Sequence, residues 1–223
     1  MAARRLITEQ TVLDAAASGQ PRLVVSTTAL VTALAADAAR ERGVEIVRTD
    51  APEVAPVARA AGAAAPARTL AVGCDHGGFP LKAPLVAHAE ALGWTVLDLG
   101  TSSTEAVDYP DFAYAVARAV QTGAVARGLM IDGVGVGSAM VANKVPGVRA
   151  ALCPCVFSAF NARAHNDATV LTLGSRTMGV ETCKRVLAEF LQTDFEGGRH
   201  ARRVDKISDV EARYLPGAGG PAA

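Results

Sequence analysis

A doubly wound α/β domain, five parallel strands with helices on both faces and a small N-terminal appendage, is the fold that this 223-residue sequence predicts. Three observations point there. From Thr69 to about residue 213, strand and helix signals alternate. The strand runs are short and continuously apolar, as in a sheet covered on both faces, rather than alternating apolar with polar. The third run, Leu129-Met-Ile, passes through Asp132 into glycines at 133, 135 and 137 and then an Ala/Met/Val-rich helix start, a strand–loop–helix signature.

Composition narrows the function. Half the residues are hydrophobic, with one Trp and three Tyr, too few for a platform that stacks nucleic-acid bases. Lys plus Arg number 22 and Asp plus Glu number 22, so no general field gathers polyanions and any phosphate site must be local. Cys74, Cys153, Cys155 and Cys183 follow no zinc spacing, and Cys153-Pro-Cys155 is not a CxxC, so structural thiols are expected and no metal. Neither a charged-then-apolar leader nor an uncharged apolar run of the ~18 residues needed to span a membrane is present, so a cytoplasmic protein without membrane partners is expected.

In chain order, residues 1–50 form a unit of their own. A capped helix opens at Thr8, Arg22–Ser26 is a strand, Thr32 to Arg42 a helix closed by Gly43, and Val44–Val47 a second strand. So small a unit suits docking better than catalysis. Residues 51–68, rich in Ala and Pro, are a linker. The larger domain, 69–213, carries strands at Thr69–Cys74, Trp94–Leu99, Gly128–Asp132, Val148–Leu152 and Thr169–Leu173, separated by helices, and 214–223 is a Gly/Pro/Ala tail. A spatial order of second, first, third, fourth, fifth would make the first and third strand ends neighbours at the switch point, where such sheets bind ligands.

At that point Asp75 and His76 follow the first strand, and Asp132 and the loop Gly133–Ser138 follow the third. Glycine lets backbone approach a ligand, and amides at a helix start attract negative oxygen. Taken alone the loop reads equally as a plain strand-to-helix turn, since it fits neither the dinucleotide nor the P-loop pattern. His165-Asn166-Asp167 precedes the fifth strand, and Arg199 and Arg203, four apart, could clamp a phosphate on one helical face. Each has a plain reading too: Asp75 as a helix cap, the histidines as ordinary polar residues, the arginines as solvated surface.

Gly73-Cys-Asp-His-Gly-Gly-Phe79, Asp108-Tyr-Pro110, the glycine loop with Ala142-Asn-Lys144, His165-Asn-Asp167, Gly174-Ser-Arg176 and Glu196-Gly-Gly-Arg-His200 occur in the order and spacing of a known family. Residues 69 to about 213 resemble the ribose-5-phosphate isomerase B / galactose-6-phosphate isomerase family. The resemblance implies a Rossmann-like fold and a homodimer or tetramer whose active sites use residues from two chains. It further implies aldose–ketose isomerisation of a phosphorylated sugar without metal or redox cofactor. On the matching positions it implies His165 in ring opening, Asp75, His76, Tyr109 and Asn166 around the substrate, Arg199 and Arg203 on its phosphate, and the amides of Gly133 to Ser138, including Gly135 and Gly137, around the enediolate.

The chain departs from the family where the base is expected. Asp132 stands where many members place a cysteine, Ser138 where others carry a glutamate, and Val134 where a threonine is common; the stretch is closer to the A-type subunit of galactose-6-phosphate isomerases. A carboxylate is ionised at neutral pH without the activation a thiol needs, so Asp132 is expected to be the general base. Ribose 5-phosphate is the expected substrate, with galactose 6-phosphate, a tetrose phosphate, or a catalytically silent phosphosugar-binding subunit as alternatives. Residues 1–50 resemble a segment that opens some bacterial microcompartment proteins, which implies docking to a shell or cargo protein.

Overall fold

The computed structural model describes residues 6–27, 29–49 and 68–215, so all of the expected linker but Arg68, and the tail beyond Leu215, lie outside the described residues. The chain divides into two compact units, Met1–Glu53 and Val54–Ala223.

In the first unit β1 (Leu6–Ile7) pairs with β3 (Leu30–Val31), and β2 (Arg22–Ser26) with β4 (Glu45–Thr49), both parallel. Helix α1 (Glu9–Ala17) begins where Thr11 Oγ1 accepts the Thr8 amide at 3.3 Å. Helix α2 (Ala33–Arg42) begins where Thr32 Oγ1 accepts from the Ala35 amide at 3.1 Å, and ends at Gly43, whose φ of 66° a side chain would disfavour. Ile7, Val12, Val25, Ala35 and Val44 are its core. The two-residue strands β1 and β3 carry no periodic signal and were not expected from the sequence.

The second unit runs β5 (Thr69–Cys74), α3 (Phe79–Ala91), β6 (Thr95–Asp98), α4 (Tyr109–Gln121), β7 (Arg127–Asp132), α5 (Val136–Ala142), β8 (Ala150–Leu152), α6 (Val156–Ala164), β9 (Val170–Gly174), α7 (Val180–Gln192) and α8 (Ala201–Tyr214). The five strands are parallel in the order β6-β5-β7-β9-β8. The first three places match the expected order and the last two are exchanged. Burial explains the exchange. Every residue of β9 is buried, whereas β8 is three half-buried residues stopped by Pro154, and a strand covered all round belongs inside the sheet. Right-handed crossovers then place α6, which leads back inward, on the face of α3 rather than of α4 and α5. The packing agrees: α7 lies against both α3 and α6, and α4 against α5.

The two faces bury different side chains. Leu70, Val72, Leu129, Ile131, Leu171 and Leu173 meet Leu85, Val186, Leu187 and Phe190 on one side. The α4 side is smaller: a Cβ at Gly73 or Gly128 would lie 2.7 or 2.6 Å from a methyl of Val116, so α4 rests almost directly on the strand backbones. Cys74, Cys153 and Cys183 are buried, Cys155 is exposed, and all four are free thiols.

Candidate active site

Because β5 and β7 are adjacent, their carboxyl ends meet. The Asp75 amide donates to Ile131 O at 3.1 Å, and Asp75 Oδ1 accepts from the Gly78 amide at 2.7 Å, so this carboxylate shapes the turn into α3 at the lip of the crevice. His76 Nδ1 lies against the backbone of Val107, 3.2 Å from its oxygen and 3.3 Å from its nitrogen. That contact draws in the segment entering α4, and Tyr109, first residue of the helix, lays its ring over Gly137: a Cβ there would sit 2.6 Å from two ring carbons and the hydroxyl oxygen.

Asp132 is 5 % exposed and its carboxylate is fully engaged by the loop it precedes. Oδ1 accepts from the Val134 amide at 2.7 Å and from the Gly135 amide; Oδ2 accepts from the Ser138 amide at 3.3 Å and from the Ser138 hydroxyl. The expectation that all the amides from Gly133 to Ser138 face an enediolate is therefore corrected. Those of Val134, Gly135 and Ser138 hold the aspartate, because a buried carboxylate at the start of a loop is the nearest acceptor for helix-start donors. Gly135 turns the chain with φ 85°, and a Cβ on it would lie 2.6 Å from Leu152 Cδ1. Gly135→Ala is expected to cost about 2–3 kcal/mol of unfolding free energy, read from the shift of the urea midpoint.

Placing β9 beside β7 brings a further loop to the crevice. The Ser175 amide donates to Asp132 O at 2.8 Å, Ser175 Oγ to Gly77 O at 2.7 Å, and the Arg176 amide to Gly133 O at 3.0 Å. The exposed Arg176 side chain passes over Gly133, whose Cβ would be 3.8 Å from its Cδ and Nε. Gly174-Ser-Arg176 carries the family resemblance in the sequence but no role of its own there; the strand order was the missing signal.

The second group of expected residues lies elsewhere. His165 ends α6 and Asn166 follows it, both ahead of β9. Val170 pairs with Gly128 at the amino end of β7, and Gly174 with Asp132 at the carboxyl end. At ~3.3 Å per residue these levels are about 13 Å apart, and His165 lies beyond the nearer one. Within one chain, then, Asp75, His76, Tyr109 and Asp132 converge at one end of the sheet, and His165, Asn166 and Arg199 gather at the other.

That second group is firmly built. Asp167, at φ 46°, is gripped by Arg149 Nη2 at 2.7 Å and Arg163 Nη1 at 2.8 Å. His165 and His200 stack with ring centroids 4.0 Å apart and planes 6° from parallel. Burial, then the neighbouring His165 and Arg199, hold the His200 pKa below its ordinary value, which favours a neutral imidazole. Arg199 lies in the turn before α8, with its Nε 3.2 Å from His200 Nε2, and Arg203 lies in the first turn of α8, both exposed. Asn161, Glu196 and His200 complete this group and carried no role in the sequence reading, although Glu196 and His200 bracket the quoted Glu-Gly-Gly-Arg-His string.

His165, Glu196 and His200 also place one ligand atom each within 4.8 Å of one another, and Glu196 Oε2 is 3.7 and 3.6 Å from the two Nε2 atoms. As arranged they do not suit a cation. A metal must lie in the plane of each imidazole that binds it, which parallel rings 4.0 Å apart do not allow, and Arg199 already donates to the His200 nitrogen. With Arg199 and Arg203 alongside, the place suits an anion.

A parallel sheet with a carboxylate-and-glycine crevice at one end and a His/Arg group at the other defines the class, and comparison with known proteins identifies it. Residues 70–207 match the family described as Ribose/Galactose Isomerase, and the chain belongs to that family. It is 46 % identical over 146 residues to ribose-5-phosphate isomerase B of Escherichia coli (strain K12), covering 66 % of this chain and 98 % of the relative. It is 40 % identical over 144 residues to D-erythrulose-4-phosphate isomerase of Pectobacterium atrosepticum, covering 64 % and 95 %. A solved structure of Clostridium thermocellum ribose-5-phosphate isomerase B superposes with a TM-score of 0.65 at 44 % identity, covering 66 % of this chain and 99 % of that one. The protein is a sugar phosphate isomerase of the ribose-5-phosphate isomerase B type. No helix among the described residues is long and apolar enough to cross a membrane.

Proposed function

We propose that the protein interconverts ribose 5-phosphate and ribulose 5-phosphate through an enediolate, at sites that each combine the carboxylate crevice of one copy with the His/Arg group of another. The observation that carries this reading is the separation of the two groups to opposite ends of one sheet. Surface composition supports it. Helix α8, which begins beside Arg199 and His200, leaves Ile207, Val210 and Tyr214 exposed along one stripe, and Met140 on α5 and Phe157 on α6 are 63 % and 73 % exposed. Apolar side chains on this scale favour burial against a second copy.

In this site Asp132 takes the C2 proton. Three of its four hydrogen bonds come from fixed amides; the fourth comes from the Ser138 hydroxyl, which turns about a single bond. Rotation of that hydroxyl toward the sugar uncovers a lone pair on Oδ2 and supplies a donor to the oxygen that gains charge. The amides of Gly133 and Gly137 assist, the hydroxyl proton passes from O2 to O1, and the proton held by Asp132 returns at C1. His165, with Asn166, attends the closed sugar ring, and Arg199 and Arg203 receive the dianionic phosphate.

The similarity to a D-erythrulose-4-phosphate isomerase supports a second reading, a tetrose phosphate as substrate. A coupled assay across C4 to C6 aldose phosphates on purified protein separates the two. Fastest turnover of ribose 5-phosphate is expected; preference for the tetrose would favour the second reading, and no turnover at all a silent binding subunit.

For the N-terminal unit we propose docking to a microcompartment shell or cargo protein. Deleting residues 1–65 is expected to leave kcat and KM unchanged and to abolish co-purification with co-expressed shell proteins; undiminished co-purification would reject the role.

A further inference from the structure

The side chain of Asn161 settles a question about His165 that the ring by itself leaves open, namely which nitrogen holds the proton. Three contacts connect them. Asn166 Nδ2 lies 3.2 Å from the backbone oxygen of Asn161 and 3.1 Å from Asn161 Oδ1, and Asn161 Nδ2 lies 2.8 Å from His165 Nδ1. A backbone carbonyl can only accept, so the Asn166 atom facing it is the amide NH2 and not the amide oxygen. The same NH2 faces the Asn161 side chain, which must present its oxygen there. The other end of the Asn161 amide is then its NH2, and it donates to His165 Nδ1. A ring nitrogen that accepts carries no proton, so the neutral imidazole is protonated at Nε2. The orientation of two amides and one ring, each ambiguous alone, thus follows from one main-chain oxygen.

We propose that Asn161 is a positioning residue: it holds His165 as the neutral tautomer whose Nε2–H points outward as a hydrogen-bond donor to the ring oxygen of a closed sugar phosphate. The inference rests on the isomerase reading above and adds the device that prepares its ring-opening step. In that step the bond between C1 and the ring oxygen breaks and its electron pair goes to the ring oxygen. The C1 hydroxyl gives its proton to water as C1=O forms, and water reprotonates the ring oxygen. The imidazole ends unchanged, having stabilised the charge on the leaving oxygen through Nε2–H. Asn161 also disfavours the other tautomer, since a proton on Nδ1 would set a ring N–H against the amide NH2.

The surroundings suit a donor at Nε2. Glu196 Oε2 lies 3.7 Å from it, outside hydrogen-bond distance, and so leaves room for a ligand oxygen. His200 stacks on the ring face and Phe160 meets it at 70°, fixing the plane in which the N–H points.

The test uses two isosteric substitutions in the full-length protein. Asn161→Asp offers only acceptors, so it calls for the proton on Nδ1; Asn161→Leu offers nothing. With four histidines in the chain, ¹⁵N spectra of the imidazoles can be assigned with a His165→Ala control. At a pH above the imidazole range the wild type is expected to show a protonated Nε2 and a bare Nδ1, Asn161→Asp the reverse, and Asn161→Leu an averaged signal. At the same pH Asn161→Asp should lose roughly tenfold or more in kcat/KM on ribose 5-phosphate, and Asn161→Leu, whose averaged ring still carries the Nε2 proton part of the time, about two- to threefold. They should stay within about twofold of wild type on an aldotetrose 4-phosphate, whose esterified O4 cannot close a furanose ring, because only the ring-opening donor is lost. A wild-type spectrum with the proton on Nδ1, or equal losses on cyclic and acyclic substrates, would overturn the proposal. The spectrum needs no turnover, so a chain inert on every phosphosugar would refute the isomerase reading and leave the tautomer test standing.

Discussion

Asp132→Asn is expected to fold, to keep KM within a few-fold of wild type, and to lose about 10²–10⁴ in kcat on ribose 5-phosphate, as read in a coupled assay. The expectation follows from what the amide can and cannot replace. Its oxygen can still accept from the Val134 and Gly135 amides, and its NH2 can face the Ser138 hydroxyl, which is able to accept as well as donate. The Ser138 amide then meets a donor, a cost of about 1–2 kcal/mol in stability. Neither amide atom can take a proton from carbon, so the chemical step suffers far more than the fold. Asp132→Cys, which puts a thiol where many members of the family carry one, should recover part of the rate. Stability lowered with kcat intact would mean that the aspartate only braces the loop.

Equal amounts of inactive Asp132→Asn and inactive His165→Ala protein, unfolded and refolded together, should regain about a quarter of wild-type activity. If each site takes Asp132 from one copy and His165 from another, half of the randomly formed pairs are mixed, and each mixed pair holds one intact site and one doubly defective site. If both residues served a site within one chain, mixing would restore nothing. The separation of about 13 Å along the β7–β9 pair makes the first outcome the expected one. Size-exclusion chromatography of each variant alone checks that both still associate.

The sequence carried more of the framework than of the chemistry. Strand ends, Gly43 as a helix stop and the meeting of Asp75 with Asp132 were legible because apolar runs, turn glycines and adjacent parallel strands are local signals. The exchange of β8 and β9 was not, because two short apolar runs of similar character differ only in how fully the rest of the fold covers them. That exchange in turn hid Ser175 and Arg176, which reach the crevice through strand order alone. Which of the loop amides engage Asp132, those of Val134, Gly135 and Ser138, was also hidden, since the choice between the aspartate and a ligand is made by the folded shape of the loop. Asn161 gave no signal at all: its importance lies in a hydrogen-bond chain that exists only once α6 has delivered its last turn to the loop before β9.

The near-contact of α4 with the sheet has a bearing on how this protein tolerates change. Gly73 and Gly128 leave the space that Val116 fills, and the same helix begins with Tyr109 lying on Gly137. A methyl group added under the middle of the helix would lift it like a shim beneath one leg of a table, tilting the aromatic ring at its far end. With the sugar seated in this crevice as proposed, drift at those two buried positions is felt as a change in substrate fit, and the crevice inherits its dimensions from side chains that are missing.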